Sequence, residues 1–299
     1  MTIQNFQELR DRLKKTGKKP IIAIAAAEAL EIMELVRELR SQKLAQAILV
    51  GNTSRLGALC AEADLNPLPE LVAAEGEAQA AQTAVALVRQ GHAHVLMKGM
   101  INSSIFLKAI LDPEQEVRGG SLLSHLAAFE IPGQNRLHFH TDGGMNLSPD
   151  LEQKRAILAN AVQALHRLGY TCPLVAALAA NEIVNPKLPS TVDAAELQRL
   201  NWAGEIKNCL IEGPIAMDVA MSAEAAVHKH IESQVSGAAD IFLMPNIEAG
   251  NLVGKTLMYA AHAKMAGVIL GATCPIVMVS RADNAEAKLN SLALACAAI

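Results

Sequence analysis

Residues 20–50 read PIIAIAAAEALEIMELVRELRSQKLAQAILV, and this stretch carries the pattern that decides the fold class. Ile21–Ala25 and Ala47–Val50 are short runs of successive apolar residues, which is typical of strands covered on both faces. Between them, apolar residues recur every three positions over Leu30–Val36, with Glu and Arg on the opposite side. The stretch therefore predicts a strand, a helix and a second strand.

The same alternation continues along the chain and predicts a parallel, doubly wound α/β architecture with helices on both faces of the sheets. In such sheets, ligands bind beyond the carboxyl ends of the strands. Further strands are predicted at residues 95–97, 137–140, 174–178, 207–211, 241–244, 268–270 and 276–279, and helices at 28–40, 75–90, 150–168, 223–234, 250–265 and 284–298.

A turn-rich segment, Ile131–Arg136, is the predicted boundary between two lobes. The first lobe is expected to comprise residues 1–133 plus 275–299, because the last predicted helix is too short to stand alone. The second lobe is expected to comprise residues 134–274.

Composition narrows the function classes. Of the 299 residues, 51% are hydrophobic and 19% charged, which supplies a large core and excludes intrinsic disorder. The net charge of −4 provides no basic field that would attract nucleic acid. No secretory leader and no run of about 18 apolar residues is seen, so we expect a cytoplasmic protein without a membrane span. A hydrophobic content this high predicts apolar surface held in a homo-oligomer.

Two motif matches are interpreted conservatively. Ala249–Thr256 fits a relaxed P-loop pattern, but no later strand ends in an acidic residue that could hold magnesium. The pairs His138/His140 and His228/His230 lack a third ligand nearby in sequence, so no metal site is predicted. We interpret the Ala249–Thr256 segment as a glycine-containing strand-to-helix turn that approaches another ligand.

The segment Pro275–Ser291 is the most informative for chemistry. A buried apolar strand leads directly into Ser280-Arg281-Ala-Asp283, and a helix is predicted to follow. A hydroxyl, a guanidinium and helix-terminal amides would converge there, which suits a tetrahedral anion such as phosphate. The alternative is a helix N-cap, formed by Ser280 or Asp283, beside a surface arginine.

With Gly267–Ile276 before it, Ser280-Arg281 resembles the closing signature of the phosphate acetyltransferase and phosphate butyryltransferase family. Within that family the chain ending is more similar to the butyryl branch. The acetyl branch tends to carry an aspartate, assigned as a base, where this chain has Ala287. Further blocks that resemble the family, in its order, are Leu96–Gly99 with Ser103-Ser104, Arg118–His125 with Phe129-Glu130, Asp142–Asp150, Glu212–Pro214 with Asp218, and Ala239–Asn251.

The resemblance implies two α/β lobes similar to isopropylmalate dehydrogenase, with parallel or mixed sheets flanked by helices and the active-site cleft between the lobes. It also implies reversible acyl transfer, in which acyl-CoA and inorganic phosphate give acyl phosphate and CoA. CoA is then a substrate, and neither a metal nor a redox cofactor is required. We expect the catalytic residues to be Ser280, Asp283 and Glu286, and the phosphate- or CoA-binding residues to be Arg281, Arg118, Lys98 and Asn251.

In these roles Ser280 donates to the carbonyl oxygen, Arg281 and Arg118 hold phosphate, and Asp283 or Glu286 manages the thiol proton. Three alternatives stay open. The first is transfer of acetyl rather than butyryl. The second is an NAD-dependent decarboxylating dehydrogenase, which would need clustered aspartates that the sequence does not show. The third is a noncatalytic two-lobed binding protein, a class that is usually exported.

Overall fold

The computed structural model describes residues 2–119, 121–279 and 284–299. The chain divides into two compact units, each with a sheet flanked by helices. The first unit consists of Phe6–Leu123 and Ala266–Ile299, and the second of Met1–Asn5 and Ser124–Met265.

In chain order the helices and strands are α1 (Phe6–Lys15), β1 (Ile21–Ala25), α2 (Leu30–Ser41), β2 (Gln46–Gly51), α3 (Thr53–Glu62), β3 (Glu70–Ala73), α4 (Gly76–Arg89), β4 (Val95–Lys98), α5 (Ser103–Leu111), β5 (Ser124–Glu130), β6 (Leu137–Thr141), α6 (Leu151–Arg167), β7 (Leu174–Leu178), α7 (Pro189–Trp202), β8 (Leu210–Ile215), α8 (Met217–Met221), α9 (Ala223–His228), β9 (Ile241–Leu243), α10 (Ile247–Tyr259), β10 (Lys264–Leu270), β11 (Ile276–Val277) and α11 (Ala285–Ala297).

The first unit has the strand order β3-β2-β1-β4-β11-β10. The first five strands in this order are parallel to their neighbours, whereas β10 is antiparallel to β11. The connection from Leu270 to Ile276 is too short for the crossover that a parallel pair needs. The sheet is therefore mixed, which confirms the expectation of parallel or mixed sheets flanked by helices.

The second unit has the order β5-β6-β9-β7-β8. Strands β6, β9, β7 and β8 are parallel, and β5 is antiparallel to β6. The Ile131–Arg136 segment joins β5 to β6 as a hairpin connection inside this unit. The chain accordingly passes between the units at residues 5/6, 123/124 and 265/266 rather than within that turn.

Two element boundaries differ from the sequence pattern for local reasons. Strand β8 begins at Leu210 because Asn208 adopts a left-handed φ of 67°, and the Asn201 amide donates to the carbonyl oxygens of Ile206 and Cys209. The apolar run after Gly250 was predicted to be helical as far as residue 265. Helix α10 instead ends at Tyr259, and the last residues of that run begin β10.

Branched aliphatic residues and alanine fill the cores of both units. The second unit also buries His138 and His140 on β6, against the rings of Phe129 and Phe242. Within the part of the chain that the structure describes, no helix is long and apolar enough to span a membrane.

Candidate active site

The carboxyl ends of β1, β2 and β4 meet at one edge of the first unit, because these strands are parallel. Strand β4 ends at Lys98, and Gly99 turns the chain across the end of β1, where its N–H donates to the Ala25 carbonyl (2.9 Å). A Cβ at Gly99 would lie 2.4 Å from the Ala26 carbonyl oxygen, so no larger residue fits there. Close contact with the backbone at the end of β1 therefore explains why a glycine follows Lys98.

Lys98 places a buried cation beneath the turn that leads to α5. The side chain is only 7% exposed, and its Nζ donates to the carbonyl oxygens of Ile101 (3.0 Å) and Gly99 (3.4 Å). The next residues, Ser103 and Ser104, are exposed at the start of α5. A positive charge and the amino end of a helix therefore lie at this edge, an arrangement that favours an anionic ligand.

Two carboxylates that the sequence analysis missed also bind backbone at this edge. Glu28 accepts from the N–H of Asn52, the N-cap of α3 (2.7 Å), and Glu77 accepts from the N–H of Asn102, the N-cap of α5 (2.9 Å). Gly51 makes room for the first of these, since a Cβ there would lie 2.3 Å from Glu28 Oε1. No local motif could have found them, because each acts on a residue about 25 positions away.

The last helix begins differently from the alternative considered above. Asn284 is the N-cap of α11, and its Oδ1 accepts from the N–H of Ala287 (2.8 Å). Asn284 therefore supplies the cap that the alternative interpretation gave to another residue. Glu286 is exposed in the first turn of α11. Ser280, Arg281 and Asp283 lie outside the described residues.

Arg118 is an exposed residue in the turn that precedes Gly119. The backbone of this turn is fixed by a hydrogen bond from Thr273 N–H to the Val117 carbonyl (2.8 Å). Thr273 comes before β11, so the turn lies on the amino-terminal side of that strand, whereas Lys98 ends the neighbouring β4 on the carboxyl-terminal side. The roles of Arg118 and Lys98 as joint phosphate ligands stay predictions.

The second unit has its own strand-end turn, organised around Asp142 directly after β6. The carboxylate is 2% exposed. It accepts four hydrogen bonds, from the N–H groups of His125 (3.0 Å), Gly144 (2.7 Å) and Met145 (2.9 Å) and from the Asn146 side-chain amide (2.7 Å). These bonds satisfy both carboxylate oxygens and fold residues 142–146 into a fixed loop.

The start of α10 packs directly on this loop. Gly143 and Gly250 approach each other backbone to backbone, and a Cβ at Gly250 would lie 2.6 Å from the Gly143 Cα. Asn246 caps α10 by accepting from the N–H of Ala249 (2.9 Å). Asn251 is exposed one residue beyond this contact, beside the Asp142 loop.

The P-loop-like pattern is explained by the same helix. All of Ala249–Thr256 lies inside α10, so the pattern forms a helix and not the loop that would cradle a phosphate chain. Its Gly250 serves the close contact with Gly143. The rejection of a P-loop agrees with this geometry. The interpretation as a strand-to-helix turn that approaches another ligand is wrong, because the segment is helical and Gly250 packs against Gly143.

Three histidines of this unit, His125, His138 and His140, have pKa values lowered by burial. Burial holds the pKa of His125 below its usual value, although the nearby Asp142 carboxylate opposes the shift. Burial, with a smaller contribution from Arg136, lowers the pKa of His138 to about 4. Burial, with a smaller contribution from His138, lowers the pKa of His140 to about 3. Among the described residues, no three His, Cys, Asp or Glu side chains come together as a possible metal site.

Three acidic residues from the family-like blocks hold structure in this unit. Glu212 accepts from the N–H of Gln234 (2.9 Å), and Asp218 pairs with Lys229 (2.9 Å). Asp240 accepts from the N–H of Leu174 (3.0 Å), and burial raises its pKa. Each of these carboxylates has a partner that accounts for its position.

The two strand-end turns belong to mixed sheets flanked by helices, which define an α/β protein, and comparisons with known proteins give its family. Residues 68–296 match the family model described as "Phosphate acetyl/butaryl transferase". The chain is 41% identical to the phosphate butyryltransferase of Clostridium acetobutylicum, covering 98% of this chain and 97% of that protein. It is 44% identical to the probable phosphate butyryltransferase of Bacillus subtilis, over 97% of this chain and 98% of the relative.

A solved structure has the same fold. The branched-chain phosphotransacylase from Enterococcus faecalis is 33% identical and superposes with a TM-score of 0.83, covering 93% of this chain and 98% of that one. The chain therefore belongs to the phosphate acetyl/butyryl transferase family and is an acyltransferase.

Proposed function

We propose that this chain transfers a butyryl group between CoA and inorganic phosphate, so that butyryl-CoA and phosphate give butyryl phosphate and CoA. The observation that carries this assignment is the near full-length identity of 41% and 44% to two phosphate butyryltransferases. Acetyl transfer is the second candidate, because the matching family model covers both acyl groups.

The chemistry requires an anion site close to a thioester. A phosphate oxygen attacks the thioester carbon, the carbonyl oxygen becomes an oxyanion, and collapse of this intermediate expels the CoA thiolate, which then takes up a proton. We assign the oxyanion contact to Ser280 and the phosphate contact to Arg281. Asp283 or Glu286 supplies or removes the thiol proton.

Lys98 and Asn251 complete the proposed set as contacts for the phosphates of the substrates. The buried charge of Lys98 supports this role, because the cation is held rigidly by two carbonyl groups at a strand end. Asn251 is exposed at the start of α10, beside the Asp142 loop. No metal and no redox cofactor takes part in the proposed reaction, and CoA acts only as substrate.

Three further properties belong to the proposal. The fold is of the isopropylmalate dehydrogenase type, the protein works in the cytoplasm, and it is a homo-oligomer. Self-association is supported by α10, where Leu252 is 68% exposed and Tyr259 is 75% exposed. Light scattering should then give a mass well above the 31.7 kDa of one chain.

The experiment that tests the function measures free CoA with a thiol reagent while acyl-CoA substrates from acetyl to hexanoyl are supplied with and without phosphate. We expect phosphate-dependent release that is greatest with butyryl-CoA. Greatest release with acetyl-CoA would transfer the assignment to the acetyl candidate. CoA release that does not depend on phosphate would contradict acyl transfer to phosphate altogether.

A further inference from the structure

A groove of about 580 Å³ lies in the first unit, at the amino ends of β1, β2 and β3. Ile21, Gln46 and Glu70, the first residues of these three strands, all line it. Because the strands are parallel, this edge is opposite to the one where Lys98 ends β4. The volume lies in the range of ordinary small-molecule sites.

The charge of the groove is positive. Lys19, Arg40 and Lys43 line it, against one acidic lining residue, Glu70. Neither Lys19 nor Lys43 has an ion-pair partner within residues 2–119, 121–279 and 284–299. The Arg40 guanidinium donates to the Pro67 carbonyl, which fixes it at the groove.

Lys43 occupies a backbone position that favours glycine. It follows the last turn of α2 with a left-handed φ of 57°, and its N–H and that of Leu44 donate to the Arg40 and Leu39 carbonyls. Gly91 takes the same left-handed position after α4. Glycine would be less strained there, so the chain keeps a cation at the groove at the expense of backbone strain.

The remaining lining is apolar. Pro67, Leu68 and Pro69 contribute to it, and Leu68 is 57% exposed. Three cations beside an apolar surface match a ligand that joins a polyanion to a flat ring. We propose that this groove binds a nucleoside polyphosphate, with its phosphates on Lys19, Arg40 and Lys43 and its base on the Pro67–Pro69 segment.

This site is independent of the proposed catalytic function, because binding is measured without turnover. The ligand chemistry has two sources, a free nucleoside triphosphate or a 3′-phosphorylated nucleotide such as the one at the end of CoA. The experiment is isothermal titration calorimetry of the full chain with ATP, with 3′-phospho-ADP and with inorganic tripolyphosphate, which has no base.

Lys43→Gly is the decisive variant, since it removes the cation and relieves the backbone. We expect its melting temperature to be equal to or above that of the wild type, with nucleotide affinity reduced on the order of tenfold. Asp64→Gly is the matched control, because Asp64 has the same left-handed geometry after α3 (φ 53°) and does not line the groove. Its affinity should equal that of the wild type, and basal acyl transfer should be unchanged in both variants.

The nucleotide whose affinity is higher and depends on Lys43 identifies the source. Equal affinity of Lys43→Gly and wild type for both nucleotides, or no binding of either at millimolar concentration, would overturn the proposal. Tripolyphosphate that binds as tightly as ATP would contradict the nucleoside part of the assignment.

Discussion

The turns after β4 and β6 are each held by one buried charged side chain, and the two charges have opposite signs. After β4, the ammonium of Lys98 donates to two carbonyl groups of the following turn. After β6, the carboxylate of Asp142 accepts from two amide groups of its own turn, Gly144 and Met145, and from two further donors. Both side chains are almost completely buried.

The difference decides which ligand each turn suits. Around Lys98 the buried charged group is positive, which favours an anion at that edge. Around Asp142 the amide donors are already used by a negative charge, so little is left to hold phosphate. We therefore expect the phosphate nucleophile at the Lys98 edge, and a positioning role for the Asp142 loop.

The largest effect is expected from Asp142→Ala, which leaves three backbone N–H groups and one side-chain amide without their acceptor. We expect a loss of roughly 3–5 kcal/mol in the free energy of unfolding and at least about a 100-fold loss of acyl transfer, measured by urea denaturation and CoA release. Asp150→Ala is the matched control, because Asp150 caps α6 at an exposed position. It should lose about 1 kcal/mol with normal activity. An Asp142→Ala protein as stable as this control would contradict a stabilising role of the buried carboxylate.

Ser280→Ala tests the transfer step without the complication of a helix cap. If Ser280 donates to the carbonyl oxygen in the transition state, kcat should fall about 100- to 1000-fold with little change in KM. The melting temperature should not change through loss of an N-cap, since Asn284 caps α11. Full activity in a folded Ser280→Ala protein would remove the serine from the mechanism.

Lys98→Met tests whether the buried cation at the end of β4 contributes to phosphate binding. We expect the KM for phosphate to rise on the order of tenfold, because the cation at the strand end is lost while the side-chain volume is kept. Lys154→Met is the control, since Lys154 is also buried and pairs with Asp193 (2.6 Å) between helices α6 and α7. That variant should lose stability with an unchanged phosphate KM. A phosphate KM that rises equally in both variants would contradict a specific role for Lys98.

The smallest effect concerns acid stability of the second unit. His138 and His140 have folded pKa values of about 4 and about 3, below the usual 6.5. Their stabilisation is complete above pH 6.5 and is lost as the pH falls towards 4, at up to about 1.4 kcal/mol per pH unit for each histidine. Urea unfolding at pH 7.5, 6 and 5 should show a gentler decline in His140→Leu. An identical decline in the variant and the wild type would show that His140 does not drive the loss.

Much of this fold follows from local pattern. Strands Ile21–Ala25 and Leu174–Leu178 have the predicted bounds, and each begins directly after a proline that starts its apolar run. Strand β3 was missed because none of its four residues is buried, so its sequence lacks a buried run. Helix α7 was missed because its apolar residues form only a weak one-sided pattern around a buried Thr191.

Only those parts of the site that are formed by one contiguous segment could be predicted from the sequence. The Lys98-Gly99 turn and the Asp142 loop are contiguous in sequence, so a short motif contains most of each. Glu28 and Glu77 reach backbone groups on other elements, and only the packing of those elements brings them there. The sign of the buried charge at each turn could be read from the sequence, but its hydrogen-bond partners could not.

Phosphorus NMR of butyryl-CoA incubated with inorganic phosphate and this protein distinguishes acyl transfer to phosphate from hydrolysis. We expect a new acyl phosphate resonance that grows as the inorganic phosphate signal falls, with one CoA thiol released for each acyl phosphate formed. Release of CoA with an unchanged inorganic phosphate signal would contradict this transfer, because the acyl group would then have gone to water and not to phosphate.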